Sequence, residues 1–122
     1  MKEKINLYLD DLRDCPEGFI VARNMQEAIS YLTTHDVHIL SLDHDLGLDD
    51  EGELAPTGTD FVKYFCEHDL FSDRIYIHTD NGPGRDYMYQ TLLAAQRRGF
   101  ISEKIAIYHY SITKNTYSEE KN

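Results

Sequence analysis

The chain has no tryptophan, three prolines and two cysteines in 122 residues. Cys15 and Cys66 are too few for a disulfide framework and follow no metal-ligand spacing. They read as free thiols of a reducing compartment. No run approaches the roughly 20 apolar residues that a membrane helix needs. Met1 to Lys4 lead straight into a strand pattern, without an apolar signal core or a small-residue cleavage site. These absences predict a cytoplasmic location and no membrane partner. Basic residues are also scarce: 12 stand against 22 acidic ones, for a net charge of −10. Such a surface repels duplex DNA and anionic membranes, so a phosphate ligand needs a local device to bind.

Apolar residues are present in sufficient number. They make up 41% of the chain, enough for a packed interior, and the length suits one domain. We expect that domain over residues 1–112, with a polar tail at 113–122. Ile5 to Leu9 alternates and reads as a strand, and Phe19 to Ala22 as a second, short one. Asn24 reads as a helix N-cap with Glu27 at the capping-box position. Met25, Ala28, Ile29 and Leu32 then share one helical face. Val37 to Leu42 is the next strand. Thr57-Gly58-Thr59-Asp60 opens a helix with Phe61, Tyr64, Phe65 and His68 on one face. Arg74 to Ile77 is a strand. A long helix is expected from about Arg85 to Arg98, with Met88, Leu92 and Ala95 inward, and Lys104 to Tyr110 as a last strand. Residues 47–56 are acidic and read as an irregular loop.

Strands that alternate with helices predict a mostly parallel five-stranded sheet in a three-layer α/β sandwich, with helices on both faces. One crossover is short. Only seven residues, Leu12 to Gly18, join the first two strands. Fully extended they reach about 23–25 Å, enough to return along a short strand without a helix. A parallel pair with a missing helix and an antiparallel pair are both open.

Two apolar runs end in carboxylates. Asp10-Asp11 follows Leu9, and Asp43-His44-Asp45 follows Leu42. Ligands of open α/β sheets bind at the carboxyl ends of the strands. Side by side there, Asp10, Asp11, Asp43 and Asp45 would form a divalent-cation pocket. Hard cations favour such oxygens, with Mg²⁺ first and Mn²⁺ as the alternative. The competing reading of each acidic pair is a solvated turn. Imidazole titrates near neutral pH, which suits proton transfer, so His44 and His78 join Asp43 as catalytic candidates. A third strand end, His78-Thr79-Asp80-Asn81, runs into Gly82-Pro83-Gly84 and a helix. Asn81, the amides of Gly82 and Gly84, and the Arg85 guanidinium would cradle a phosphate there. Thr57 at its helix start is a further candidate.

Leu9-Asp10-Asp11, an Asp that ends a central strand and Gly58 before a helix together resemble the receiver domain of response regulators. That fold implies an acidic pair for Mg²⁺ and a phosphoryl-accepting Asp43. The chain departs from it in its reduced first helix, in His44 and Asp45, and in the absence of a lysine at the end of the last strand. It is more similar to the cyclic-phosphate-processing receiver domain family. The likeness rests on Leu9 to Arg13 with Pro16, Val21-Ala22-Arg23, Ser41 to Gly47, Thr57 to Asp60, and His78 with Asn81, Pro83, Gly84 and Met88. It implies a metal-dependent phosphoesterase that acts on a cyclic phosphate of a nucleotide or RNA end. The alternative is a non-catalytic receiver-like module that binds a phosphorylated ligand or a partner protein.

Overall fold

A computed structural model describes residues 4–49 and 51–112. The tail expected at 113–122 lies outside them. In chain order the elements are β1 (Lys4–Leu9), β2 (Ile20–Ala22), α1 (Met25–Thr34), β3 (Asp36–Leu42), α2 (Gly58–Glu67), β4 (Ser72–Ile77), α3 (Gly82–Arg97) and β5 (Ala106–Ile107). The five strands form one sheet in the order β2-β1-β3-β4-β5, and every pair is parallel. The direction of β2 is thereby settled. Its link to β1 carries no helix.

Handedness explains where the helices lie. Parallel crossovers are right-handed. From β1 to β2 the chain steps one way across the sheet. From β2 to β3, β3 to β4 and β4 to β5 it steps the other way. Those three connections carry α1, α2 and α3, so these helices share a face. Leu7, Leu9, Leu40, Leu42, Ile75 and Ile77 point into that core. Ala28 and Leu32 of α1, Phe61 and Phe65 of α2, and Met88 and Leu92 of α3 meet them there. Each such buried side chain contributes about 1.5–3 kcal/mol. The second face carries its own smaller cluster. Tyr8, Tyr76 and Ile112 pack there with Cys15, Phe19, Ile39 and Tyr108.

Local signals set the helix starts. The Asn24 side chain accepts from the Glu27 amide at 2.9 Å, while the Glu27 carboxylate accepts from the Arg23 amide at 2.8 Å. Thr57 and Asp60 form a full capping box at the head of α2. Helix α3 begins at Gly82, three residues before the expected Arg85. Asn81 caps it through the Gly84 amide, and Pro83 fits a first turn because no intrahelical partner awaits its missing N–H. Strand β5 is shorter than the expected Lys104–Tyr110. It pairs with β4 only through Ala106 and Ile107.

The described residues of the 47–56 loop are tied together by one isolated bridge and a few hydrogen bonds. The Asp49 amide donates to the Glu53 carbonyl at 2.7 Å, the Ala55 amide to the Gly47 carbonyl at 3.0 Å, and Leu48 bridges Leu54 in antiparallel fashion. The Asp49 carboxylate ties the turn by accepting from the amides of Glu51 and Glu53. This is a small hairpin. Among the described residues, no helix is long and apolar enough to cross a membrane.

Candidate metal and phosphate site

The parallel ladder continues one residue past three strand ends. The Asp10 amide donates to the Ala22 carbonyl, Asp43 to Leu9 and His78 to Leu42, at 2.9–3.0 Å. The backbones of Asp10, Asp43 and His78 are thus held by the sheet itself. One ligand atom from each lies within 4.8 Å of the others, close enough to share a metal ion. These residues sit at the carboxyl edge of the sheet.

Asp10 is buried and well supplied with donors. Its Oδ1 accepts from the amides of Leu12 (2.9 Å) and Arg13 (2.8 Å). Its Oδ2 lies 3.0 Å from Nε2 of His78. Burial alone would raise this carboxyl. The Arg13 and Leu12 amides and the His78 imidazole outweigh burial, and the group lies below its ordinary value. Asp43 is shifted the other way. Burial raises it and the neighbouring Asp10 charge adds to this, against the His44 amide and the Thr79 hydroxyl that hydrogen-bond it. A cation between the two carboxylates would relieve that repulsion.

His78, expected as a proton-transfer candidate, is buried. Burial pushes its pKa down to about 4, despite the Asp10 carboxylate that opposes the shift. Both ring nitrogens are engaged. A carboxylate only accepts, so Nε2 carries the proton toward Asp10. Neutral imidazole then accepts at Nδ1, where the Ser41 hydroxyl donates at 2.6 Å. The ring also stacks on Tyr8, with centroids 4.0 Å apart. The carboxylates of Asp10 and Asp43 could hold a metal ion, and His78 hydrogen-bonds Asp10.

A cleft of about 320 Å³ opens beside this group. Asp10, Asp11, Asp43, Asp45 and Asp80 line it against a single guanidinium, that of Arg13; Thr79 and Asn81 complete the wall. Asp11 leans on Gly47, whose positive φ of 73° and missing Cβ both matter. A Cβ there would stand 2.7 Å from Oδ2 of Asp11. Asp45 is mostly exposed and pairs with Nδ1 of His44 at 2.9 Å. Asp11 and Asp45 are thus on the cleft wall, outside the close group of Asp10 and Asp43.

The remaining expected residues lie elsewhere. His44 is wedged against α2 and α3 rather than lining the cleft. The Gly58 amide donates to its carbonyl at 2.7 Å, and a Cβ on Gly84 would meet its ring at 2.7 Å. Its Nδ1 lies 3.3 Å from the Asn81 amide nitrogen as well as beside Asp45, and one nitrogen serves only one of these at a time. Thr57 is occupied by its capping box. The Gly84 amide is taken by Asn81, Gly82 sits at the α3 start, and Arg85 donates to the Thr79 carbonyl at 3.3 Å rather than lining the cleft.

Arg13, Thr79, Asp80 and Ser41 are the site residues that sequence reasoning passed over. Arg13 donates to the His78 carbonyl (3.2 Å) and to Asp80 (2.8 Å), which aims it across the cleft mouth. Thr79 follows His78 directly, and Ser41 sits two residues before Asp43. A polar residue between Leu40 and Leu42 was the available signal for Ser41.

The cleft has the position, the paired carboxylates and the strand order that the receiver likeness implies. No curated protein and no solved structure matches the chain. The family profile of the Cyclic-phosphate processing Receiver domain matches residues 5–94. That span covers β1 through most of α3 and every residue of the cleft, so the chain belongs to the cyclic-phosphate processing receiver domain family.

Proposed function

We propose that this chain is a metal-dependent phosphoesterase that acts on a cyclic phosphate of a nucleotide or RNA end. The observation that carries the reading is the charge of the cleft: five carboxylates face one guanidinium. A phosphate cannot enter such a place unaided, and a divalent cation turns the obstacle into a binding site. The donor set fits a hard cation, since Asp10 and Asp43 offer close carboxylate oxygens and Asp11 a third nearby. Mg²⁺ is the proposed ion, with Mn²⁺ the alternative. When bound, the cation supplies Lewis-acid polarisation of a phosphoryl oxygen and acidifies water.

The chain's own residues then have separable roles. Asp10 and Asp43 hold the cation. His78 and the Leu12 and Arg13 amides orient Asp10. Arg13 neutralises phosphate charge at the mouth, and Thr79 and Asn81 offer polar side chains on the wall. In the overall reaction water adds to phosphorus, one ring P–O bond breaks, and the departing oxygen takes a proton. Neither His44 nor His78 lines the cleft, and this observation favours the second reading, a module that binds a phosphorylated ligand without turnover.

Turnover separates the two. The full chain is incubated with 2′,3′-cyclic nucleotides, 3′,5′-cyclic nucleotides and RNA ending in a cyclic phosphate, in Mg²⁺, Mn²⁺ or EDTA. We expect metal-dependent product that disappears in a folded Asp43→Asn variant. A ligand-induced rise in melting temperature without product would instead establish the binding module.

A further inference from the structure

We propose that a groove beside the cleft holds the nucleoside of a mononucleotide whose phosphate lies in the cleft. The inference rests on the reading that the cleft takes a phosphate. The groove measures about 600 Å³ and runs between the 47–55 hairpin and the start of α1. Asp11 and Leu12 line both hollows, so the two adjoin. Small-molecule sites span roughly 300–1,000 Å³ and are mostly apolar, with a few placed polar groups. The groove has that character. Leu46, Leu48 and Ala55 form one wall and Met25 the other. Gln26 adds an amide that can both donate to and accept from a base edge.

Two of the lining leucines are unusual in their exposure. Leu12 is 82% and Leu48 65% exposed, although both border a hollow. Apolar side chains kept in water at the mouth of a groove suit a planar, largely apolar group that stacks between them. The walls are already formed. Asp49 ties the hairpin turn and Asn24 caps the opposite helix, so little ordering is needed on binding.

Charge decides between a mononucleotide and a longer strand. Asp49 lines the groove, and exposed Glu51 and Glu53 follow it in the hairpin. A single phosphate in the cleft avoids them, whereas the further phosphates of an RNA chain would meet these carboxylates, against which Arg23 is the one cation lining the groove among the described residues. The occupant is thus one base on one ribose, with one phosphate.

The test uses the full chain in Mg²⁺ with three probes: 2′,3′-cyclic AMP, the base-free glycerol 1,2-cyclic phosphate, and a short oligoribonucleotide ending in a 2′,3′-cyclic phosphate. Binding is read by titration and by the methyl NMR signals of Met25 and Leu48. We expect cyclic AMP to bind most tightly and to shift both methyl signals. In Leu48→Asp the ratio of its affinity to that of the base-free probe should fall about tenfold. Equal affinity for cyclic AMP and the base-free probe, with unmoved methyl signals, would overturn the inference and leave the phosphate reading intact. Tighter binding of the oligonucleotide would also overturn it. Binding of none of the three probes would overturn the inference and the phosphate reading together.

Discussion

Nε2 of His78 and Oδ2 of Asp10 lie 3.0 Å apart, and each side chain is 1% exposed. The pair is separated by 68 residues in sequence and joined by the β1-β3-β4 ladder. On the proposed function, His78 is a positioning residue for a carboxylate that would hold the metal. Partners of this kind are worth roughly 10–100-fold in metal affinity. His78→Asn should weaken Mn²⁺ binding by about that factor while the far-ultraviolet spectrum stays that of the folded chain. Unchanged affinity in isothermal titration would remove His78 from the site.

The same imidazole predicts how metal-free stability depends on pH. Its folded-state pKa of about 4 lies below the ordinary 6.5. As pH falls, the unfolded chain takes up the proton first. The stabilisation is full above about pH 6.5 and is lost as pH falls toward 4, amounting to roughly 3 kcal/mol. The raised Asp43 carboxyl acts in the opposite sense, because there the folded state takes up its proton first. Denaturant melts of wild type and His78→Asn across that range isolate the histidine. Parallel stability curves for the two proteins would contradict its buried, neutral state.

Among the described residues, Arg13 is the only cationic side chain on the cleft wall. A hydrogen bond to a charged group contributes about 1.5–3 kcal/mol. Arg13→Ala should therefore raise KM for a cyclic phosphate roughly 10–100-fold. Metal affinity should hold or improve, since a like charge leaves the cation's surroundings. A variant that loses the metal as well would point to Arg13 acting through the Asp10 loop.

Gly58 carries a close approach between α2 and the end of β3. A Cβ there would collide with the Asp43 carbonyl oxygen and stand 2.7 Å from the Met88 methyl. Met88 is flexible enough to yield, but the backbone is not. Gly58→Ala should cost roughly 3 kcal/mol, the upper end for overpacking. It should also displace Asp43 and weaken metal binding. Near-wild-type stability in thermal unfolding would mean that α2 shifts away freely.

Thr57 offers a contrast. Its side chain and Asp60 cap α2 reciprocally, and it lies off the cleft wall. Thr57→Ala should lower stability by about 1 kcal/mol and leave KM for a cyclic phosphate unchanged. A raised KM would return Thr57 to the phosphate site.

Asp10 and Asp43 were legible before any fold was known, because each ends an apolar run and a parallel sheet gathers such ends at one edge. The Asn24 and Thr57 caps were legible for a similar reason, since capping is a contact over three residues. His44 and Arg85 show the limit of such reading. Their chemistry suits a site, but their direction depends on packing against Gly58 and Gly84 and on the Thr79 carbonyl. Arg13 reaches the cleft through bonds to His78 and Asp80, more than sixty residues away.

Local pattern by itself determined the strands, the helices and the acidic strand ends, because those depend on neighbours within a few residues. Only the tertiary structure decided which strands adjoin and that α1, α2 and α3 share one face. It also made His78 a buried partner of Asp10. The physical reason is that strand order, crossover handedness and burial are properties of distant segments brought together. A histidine's charge follows from that burial and not from the residues beside it in the chain.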